Sequence, residues 1–437
     1  MFKIFANAWR VDDIRKKLLF IFLLLFIYRV GAILIPLPGI DLVVLNEARY
    51  FSDPTDAAMT FFSLLMGGEL GTVFAMGIAP YITASIIMQL LTYAIPVLSR
   101  MQKEDEDGRK KIQQITRYLA VGLAALQASG MVFSYTRWQG QVNLFSSPNN
   151  NFFVYFVATI AMMTGTIFIM WLAELLTEKG IGNGASFLIF ANILAGLPAG
   201  FMTFWSMLTS SFDIFTIVTV VVLLASFALI IAFTVLVHEG ERRIPVQYAR
   251  KAAATSSRGG MQGTPYIPLK VNIAGVLAII FAMSLIGFPG MLAGFFPNAT
   301  FIGNVARFVD FSNLHPVGAT LYVVLIFCFT HFYTSFAVNP IEMAENMKKN
   351  GGFIPGIRPG KPTSDFIQVT VNRLSWIGAC FYSLIALTPI IMGRLVPEMS
   401  MIAFGGTSLL IVTGVALEFV KQLESQLLMR HYKGFLE

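Results

Sequence analysis

Charge is what this chain has least of. Only 13% of its 437 residues are Asp, Glu, Lys or Arg, against 56% hydrophobic, and the mean hydropathy is +0.70. An ordinary soluble domain carries about twice that charged fraction, so the chain reads as a polytopic membrane protein. Cysteine is nearly missing: Cys328 and Cys380 each sit in an apolar run. They are expected to be buried and inert, which excludes a disulfide framework and a CxxC redox pair. Of the four histidines, His238 is followed by Glu239 but by no second histidine four residues on, so the HExxH metal pattern fails. His331 lies within a span and is expected to be a hydrogen-bonded core residue rather than a proton carrier. No aspartate falls inside any span, and Glu174 and Glu418 lie near cytoplasmic ends. Ionisable groups at mid-membrane cost at least about 2.5–3.5 kcal/mol each and mark ion or proton pathways. Their scarcity argues against an ion-coupled transporter and against an intramembrane protease. The glycine-rich stretch TEKGIGNGAS (177–186) lacks a Gly-Lys-Ser/Thr ending and a preceding strand. It is better read as a tight helix–helix turn with left-handed glycines at Gly180, Gly182 and Gly184. No enzyme activity, cofactor or metal is expected.

What the chain has in abundance is apolar runs. Ten predicted spans cover 18–36, 73–95, 113–135, 152–176, 185–206, 214–237, 271–293, 314–336, 374–393 and 400–420. The first is too long for a signal-peptide core and lacks a small-residue cleavage site, so it reads as a retained span. Of 31 Lys and Arg, 25 fall on the side of the N-terminus, 4 on the opposite side, and Arg29 and Arg117 within spans. The positive-inside rule then places both termini in the cytoplasm. The tail carrying Arg15, Lys16 and Lys17 reads as a short amphipathic helix on that surface, drawn to anionic lipid. The charged segment 96–112 reads as a solvated turn.

One region is built as two unequal pieces. Ala57–Gly71 is too short to cross a bilayer, for which about 20 apolar residues are needed. It breaks at Gly67, Gly68 and Gly71. Val73–Ile95 is long enough, yet holds Pro80, Thr83, Ser85, Gln89 and Thr92. Irregular backbone at membrane depth survives only where protein buries it or where it lines a water-filled cavity, so a half-helix returning as a polar-flecked span suggests a lumen. An interfacial helix followed by an ordinary span fits the same pattern. Ile78 and Ile82 share one face of this span at i, i+4 spacing, and Asn272, Ile280 and Ser284 lie on the seventh. A ring of isoleucines closes to ions by dewetting and offers no hydrogen bonds to a passing chain.

Two cytoplasmic loops, 238–270 and 337–373, are basic, rich in Gly and Pro, and longer than hairpins require. Their short apolar stretches (IPVQYA, YIPL, GFIPGI) predict ordered fingers, and a basic projecting surface suits RNA or an acidic protein. The spans divide five and five about residue 210, giving halves 1–206 and 207–437. Five spans per half makes the halves opposite in orientation, the arrangement of an inverted repeat around a central pathway.

Six collinear motifs carry a resemblance: GIAPYITASIIMQLL (77–91), MWLAELLTEKGIGNGAS (170–186), ERRIPVQYARK (241–251), IPLKVNIAGV (267–276), FIPGIRPGKPT (353–363) and FGGTSLLIV (404–412). Together they resemble the SecY family, the channel subunit of the bacterial-type protein translocon. The resemblance implies an all-α polytopic fold of ten transmembrane helices in two pseudo-symmetric, inverted halves with a re-entrant plug half-helix. It implies a plug at 57–71, with Phe61, Phe62, Leu64, Leu65, Gly67 and Gly68, and a pore ring of Ile78, Ile82, Ile189, Ile280 and Ile411. A lateral gate between spans 2–3 and 7–8 would carry Thr83, Gln89, Asn272 and Ser284, with Thr83, Gln89 and Asn272 as a mutually satisfied polar cluster. Arg242, Arg243, Arg250, Lys251, Arg258 and Arg358 would dock a ribosome or the SecA motor ATPase. Implied partners also include SecE-like and SecG-like small membrane subunits, signal-sequence-bearing polypeptides and membrane lipid, in the inner (plasma) membrane of a bacterium. One departure is Ile341, where many bacterial relatives carry a basic residue. The expected function is a passive channel that passes unfolded secretory chains and releases hydrophobic segments sideways into lipid. A secondary transporter of a small solute is the alternative, distinguished by a coupling-ion requirement, and an intramembrane enzyme would be revealed by loss of activity on substituting His331.

Overall fold

The computed structural model describes residues 7–41, 71–104, 106–136, 145, 152–210, 214–248, 265–295, 300–309, 316–395 and 406–433. Among them ten helices of 16 to 35 residues lie in order over the ten expected spans. They are α1 (Asp12–Leu34), α2 (Ala79–Ala94), α4 (Glu106–Thr136), α5 (Phe152–Lys179), α6 (Gly184–Ser210), α7 (Ile214–Glu239), α8 (Leu277–Phe295), α10 (Pro316–Ala337), α12 (Lys361–Leu395) and α13 (Gly406–Lys433). Three shorter helices intervene: α3 (Pro96–Glu104), α9 (Thr300–Val309) and α11 (Pro340–Lys349). Four short strands are added to this helical frame: β1 (Glu241–Pro245), β2 (Gln247–Tyr248), β3 (Tyr266–Lys270) and β4 (Gly352–Phe353).

Packing repeats between the two halves. In the first, α2 packs on α4, α4 on α5, α5 on α6, and α6 on α1; in the second, α8 packs on α10, α10 on α12, α12 on α13, and α13 on α7. The halves meet along two lines. On one, α8 lies against α2 and α4; on the other, α6 lies against α7 and α13.

Several boundaries differ from the sequence expectation, each for a local reason. The second span is helical only from Ala79, because Pro80 has no amide to donate and fits only the first turn of a helix. Ahead of it, residues 73–78 form turns, with Gly77 at φ 52°. This irregular stretch is enclosed by protein: Phe74, Ala75, Met76 and Ile78 are buried. A side chain at Gly165 on α5 would strike Val73, its Cβ falling 2.8 Å from Val73 Cγ1.

The described residues of the segment 96–112 are helical, not a turn. They comprise α3 and the start of α4. The chain bends by 106° between α2 and α3, at extended Ile95, whose helical conformation the ring of Pro96 disfavours. At 35 residues, α12 is about 52 Å long, far more than a hydrocarbon core of about 30 Å.

In the 177–186 turn only Gly182 is left-handed, at φ 95°. Gly180 and Gly184 are needed for close approach instead: a Cβ on Gly184 would lie 2.7 Å from Leu176 Cβ. The two cysteines are exposed rather than buried, because an apolar thiol at the outer face of a membrane helix meets lipid, not water. His331 is also exposed, with Nδ1 3.4 Å from Ser375 Oγ on α12, so it is not a core residue.

Candidate functional site

The five isoleucines expected to form a ring come from four different helices or their caps. Ile78 caps α2, outside the helix proper, and its carbonyl accepts a hydrogen bond from the amide of Ile82 at 3.1 Å. That bond keeps the two residues one turn apart. Ile189 lies on α6, Ile280 on α8 and Ile411 on α13. Ile78, Ile189, Ile280 and Ile411 are buried in a single apolar cluster, against which Ile82 packs. Residues more than 300 positions apart, from both halves, therefore meet where α2, α6, α8 and α13 converge.

The same cluster takes in Phe74 and Val276, which sequence reasoning did not single out. Val276 also packs against a second apolar cluster, built mainly from the second half. Nothing in its own sequence context marks it, since its place depends on Gly414. A Cβ on Gly414 would lie 2.6 Å from Val276 Cγ2.

The expected polar cluster of the gate does not form. Thr83 Oγ1 donates to the Ala79 carbonyl at 3.0 Å, and Gln89 Nε2 to Ser85 Oγ at 3.4 Å, both within the same helix. The Asn272 amide lies 2.7 Å from His238 Nδ1, at the end of α7. The reason is position. Asn272 precedes α8 by five residues and belongs to the base of the first loop rather than to the helix face. Ser284 is half-buried on α8.

What closes the line between α2 and α8 is apolar. Ile86 of α2 shares a cluster with Ala278, Ala282 and Ile286 of α8, and the two alanines are small residues of the kind that let helices approach closely in a membrane. Beyond it, Tyr93 of α2 meets Phe332 of α10 edge-on, with ring centroids 5.2 Å apart.

The described parts of the two basic loops are joined to each other. In the first, β1 pairs antiparallel with β3, setting Arg242 opposite Leu269 and Arg243 opposite Pro268. In turn β2 pairs with β4 of the second loop, Gln247 opposite Phe353 and Tyr248 opposite Gly352. Beneath them Ile244, Val246 and Leu269 share a core with Ile354, Ile367 and Val371. Arg242, Arg243 and Arg358 are exposed. Arg243 bonds Glu241, Nε to Oε1 at 2.6 Å, and stacks over the Tyr266 ring at 4.9 Å. Arg358 is presented on a turn between Gly356 (φ 83°) and Gly360 (φ 107°), left-handed positions that suit glycine. Ile341 is exposed at the start of α11. Arg250, Lys251 and Arg258 lie outside the described residues, as do Phe61, Phe62, Leu64, Leu65, Gly67 and Gly68 of the expected plug. The chain that follows that segment is tied to the end of α1: Leu37 N donates to the Gly71 carbonyl at 2.9 Å and Val73 N to that of Ile35 at 3.1 Å.

The model of the family described as SecY matches residues 72–420 of this chain. The chain belongs to the SecY family. It is 42% identical to the protein translocase subunit SecY of Halalkalibacterium halodurans and 40% identical to that of Bacillus subtilis, each over the full length of both chains. Among solved structures, it is similar to one described as "The structure of a protein conducting channel", with a TM-score of 0.62 at 17% identity, covering 93% of this chain and 90% of that one. It is likewise similar to Sec61 in a canine ribosome–channel complex, with a TM-score of 0.59 at 17% identity, covering 93% and 90%. These likenesses place the fold among SecY and Sec61 channels. The family's bacterial relatives and the apolar helices make this a multi-pass protein of the plasma membrane.

Proposed function

We propose that this chain is the channel subunit of a bacterial Sec translocon, passing unfolded secretory chains through its centre and releasing hydrophobic segments sideways. The observation that carries this reading is the convergence of Ile78, Ile82, Ile189, Ile280 and Ile411 from both halves into one apolar cluster. A constriction lined only by branched aliphatic side chains sheds water when closed and makes no hydrogen bonds to a polypeptide when open. Residues 57–71 serve as the plug on the external side. The line between α2–α4 and α8–α10 serves as the lateral gate, held by apolar contact that a hydrophobic signal segment can replace on equal terms. Both termini lie in the cytoplasm, as does the joined pair of basic fingers. There Arg242, Arg243 and Arg358, with Arg250, Lys251 and Arg258, dock a ribosome or the SecA motor, which supplies the energy. SecE-like and SecG-like subunits complete the complex.

The test is reconstitution of the chain with its small subunits in liposomes, with SecA and ATP added outside. A preprotein carrying a signal sequence should become protease-protected, and the same protein without its signal should not. Protection that does not depend on the signal, or uptake of a small solute driven by an ion gradient, would overturn the reading.

A further inference from the structure

We infer that the hydrogen bond between His238 and Asn272 is the anchor from which the gate helix α8 is positioned, a task separate from the gate seam itself. The inference rests on the channel reading above.

Three features of the lead-in to α8 support it. First, the base of the finger is pinned to the end of α7 twice. Val271 N donates to the Gly240 carbonyl at 2.9 Å, and the Asn272 side chain meets His238 at 2.7 Å. Second, this base is packed against α12. The finger shares a core with α12 through Ile367 and Val371, and Gly378 of α12 lies so close to Val271 that an added Cβ would stand 3.1 Å from its carbonyl oxygen. Third, three residues past Asn272 the backbone turns at Gly275, at φ 63°, with open space where a Cβ would be. The first turn of α8 then closes from Val276, whose carbonyl accepts from Ile279 and Ile280 at 3.2 Å.

An anchored point, a glycine joint and then the helix that carries Ile280 and faces α2 together make a lever with a defined fulcrum. The amide Nδ2–H of Asn272 donates to an unprotonated Nδ1, which leaves the ring proton on Nε2. Asn272 Oδ1 is itself buried without a hydrogen-bond partner among the described residues. Without the imidazole the whole amide would be buried and unpaired, and it regains partners only if the lead-in shifts or water enters. In either case the fulcrum of α8 is lost, while the seam contacts of Ile86, Ala278 and Ala282 are untouched.

The experiment uses the full chain with its small subunits in lipid nanodiscs. Cys328 and Cys380 are replaced by Ser, and spin labels are placed at Leu91→Cys on α2 and Leu285→Cys on α8, both exposed. Pulsed electron–electron resonance reads the distance between the labels across the gate. His238→Ala should raise the resting population of longer distances about fivefold, the effect of losing one neutral hydrogen bond. It should also lower the hydrophobicity that a signal segment needs for export. His238→Gln, which keeps an acceptor, and the exchange His238→Asn with Asn272→His should both return the distribution to its original width. Binding of SecA should be unchanged throughout. If His238→Ala does not accumulate in the membrane, Asn272→Ala replaces it with the same expectation. A resting distribution equal to that of the unsubstituted protein overturns the anchor, and so does an exchange variant as broad as the single one. The channel reading fails separately: it falls, and the anchor with it, if an arrested signal-bearing chain does not lengthen the distance in the unsubstituted protein.

Discussion

Gly414 on α13 and Val276 at the foot of α8 touch so closely that a single added carbon on the glycine would lie 2.6 Å from Val276 Cγ2. The contact joins the last helix of the chain to the start of the helix that carries Ile280, and Val276 packs against both the central cluster and the one built mainly from the second half. Gly414→Ala should therefore overpack this point, at a cost of typically 1–3 kcal/mol. The expected outcome is a lower thermal midpoint of the purified complex in detergent. Adding Val276→Ala should recover most of the loss, which a double-mutant cycle would measure. Independent, additive effects of the two substitutions would mean that the glycine is there for another reason.

The isoleucine cluster predicts a sharp difference between shape and polarity. Ile411 is fully buried, so Ile411→Leu should cost less than about 1.5 kcal/mol and leave the resting channel sealed. Ile411→Asn places an amide where nothing apolar can pair with it, at a cost of roughly 1–3 kcal/mol, and invites water into the constriction. Ion conductance of the resting channel in planar bilayers should rise for the asparagine variant alone.

The chain that follows residues 57–70 is hydrogen-bonded to the end of the first span, 71–73 to 35–37. Removing residues 57–70 while keeping Gly71 should thus leave the helical frame intact, judged by circular dichroism and thermal midpoint. The resting membrane should then leak small ions. A channel that stays silent after the deletion would assign the seal to the isoleucines alone.

Docking should be electrostatic and unequal among the arginines. Arg243 already engages Glu241 and the Tyr266 ring, so Arg242→Glu and Arg358→Glu should weaken ribosome or SecA binding more than Arg243→Glu does. None should shift stability by more than about 1 kcal/mol, because exposed charges contribute little to folding. Affinity should fall as salt rises, since the attraction is screened beyond roughly 8–10 Å. Sedimentation with ribosomes over a salt series measures both effects.

Much of this molecule is legible without coordinates, because membrane insertion is governed by quantities carried by short stretches of chain. Runs of apolar residues mark the long helices in order. Motifs such as GIAPYITASIIMQLL and FIPGIRPGKPT point to the family. Pro80 and Pro96 hold the reasons for the late start and sharp end of α2.

What sequence did not determine is who meets whom. Ile78 and Ile411 belong to the same cluster only because α2 and α13 are brought together by the packing of two separate halves. The two basic loops read as separate fingers, yet the pairing of Tyr248 with Gly352 joins them, and backbone pairing between distant segments leaves no periodic trace. Asn272 looked like a partner for Thr83 and Gln89, and its amide turned instead to His238. A polar side chain inside a membrane protein bonds to the nearest group that can satisfy it, and the tertiary structure alone sets which group is nearest.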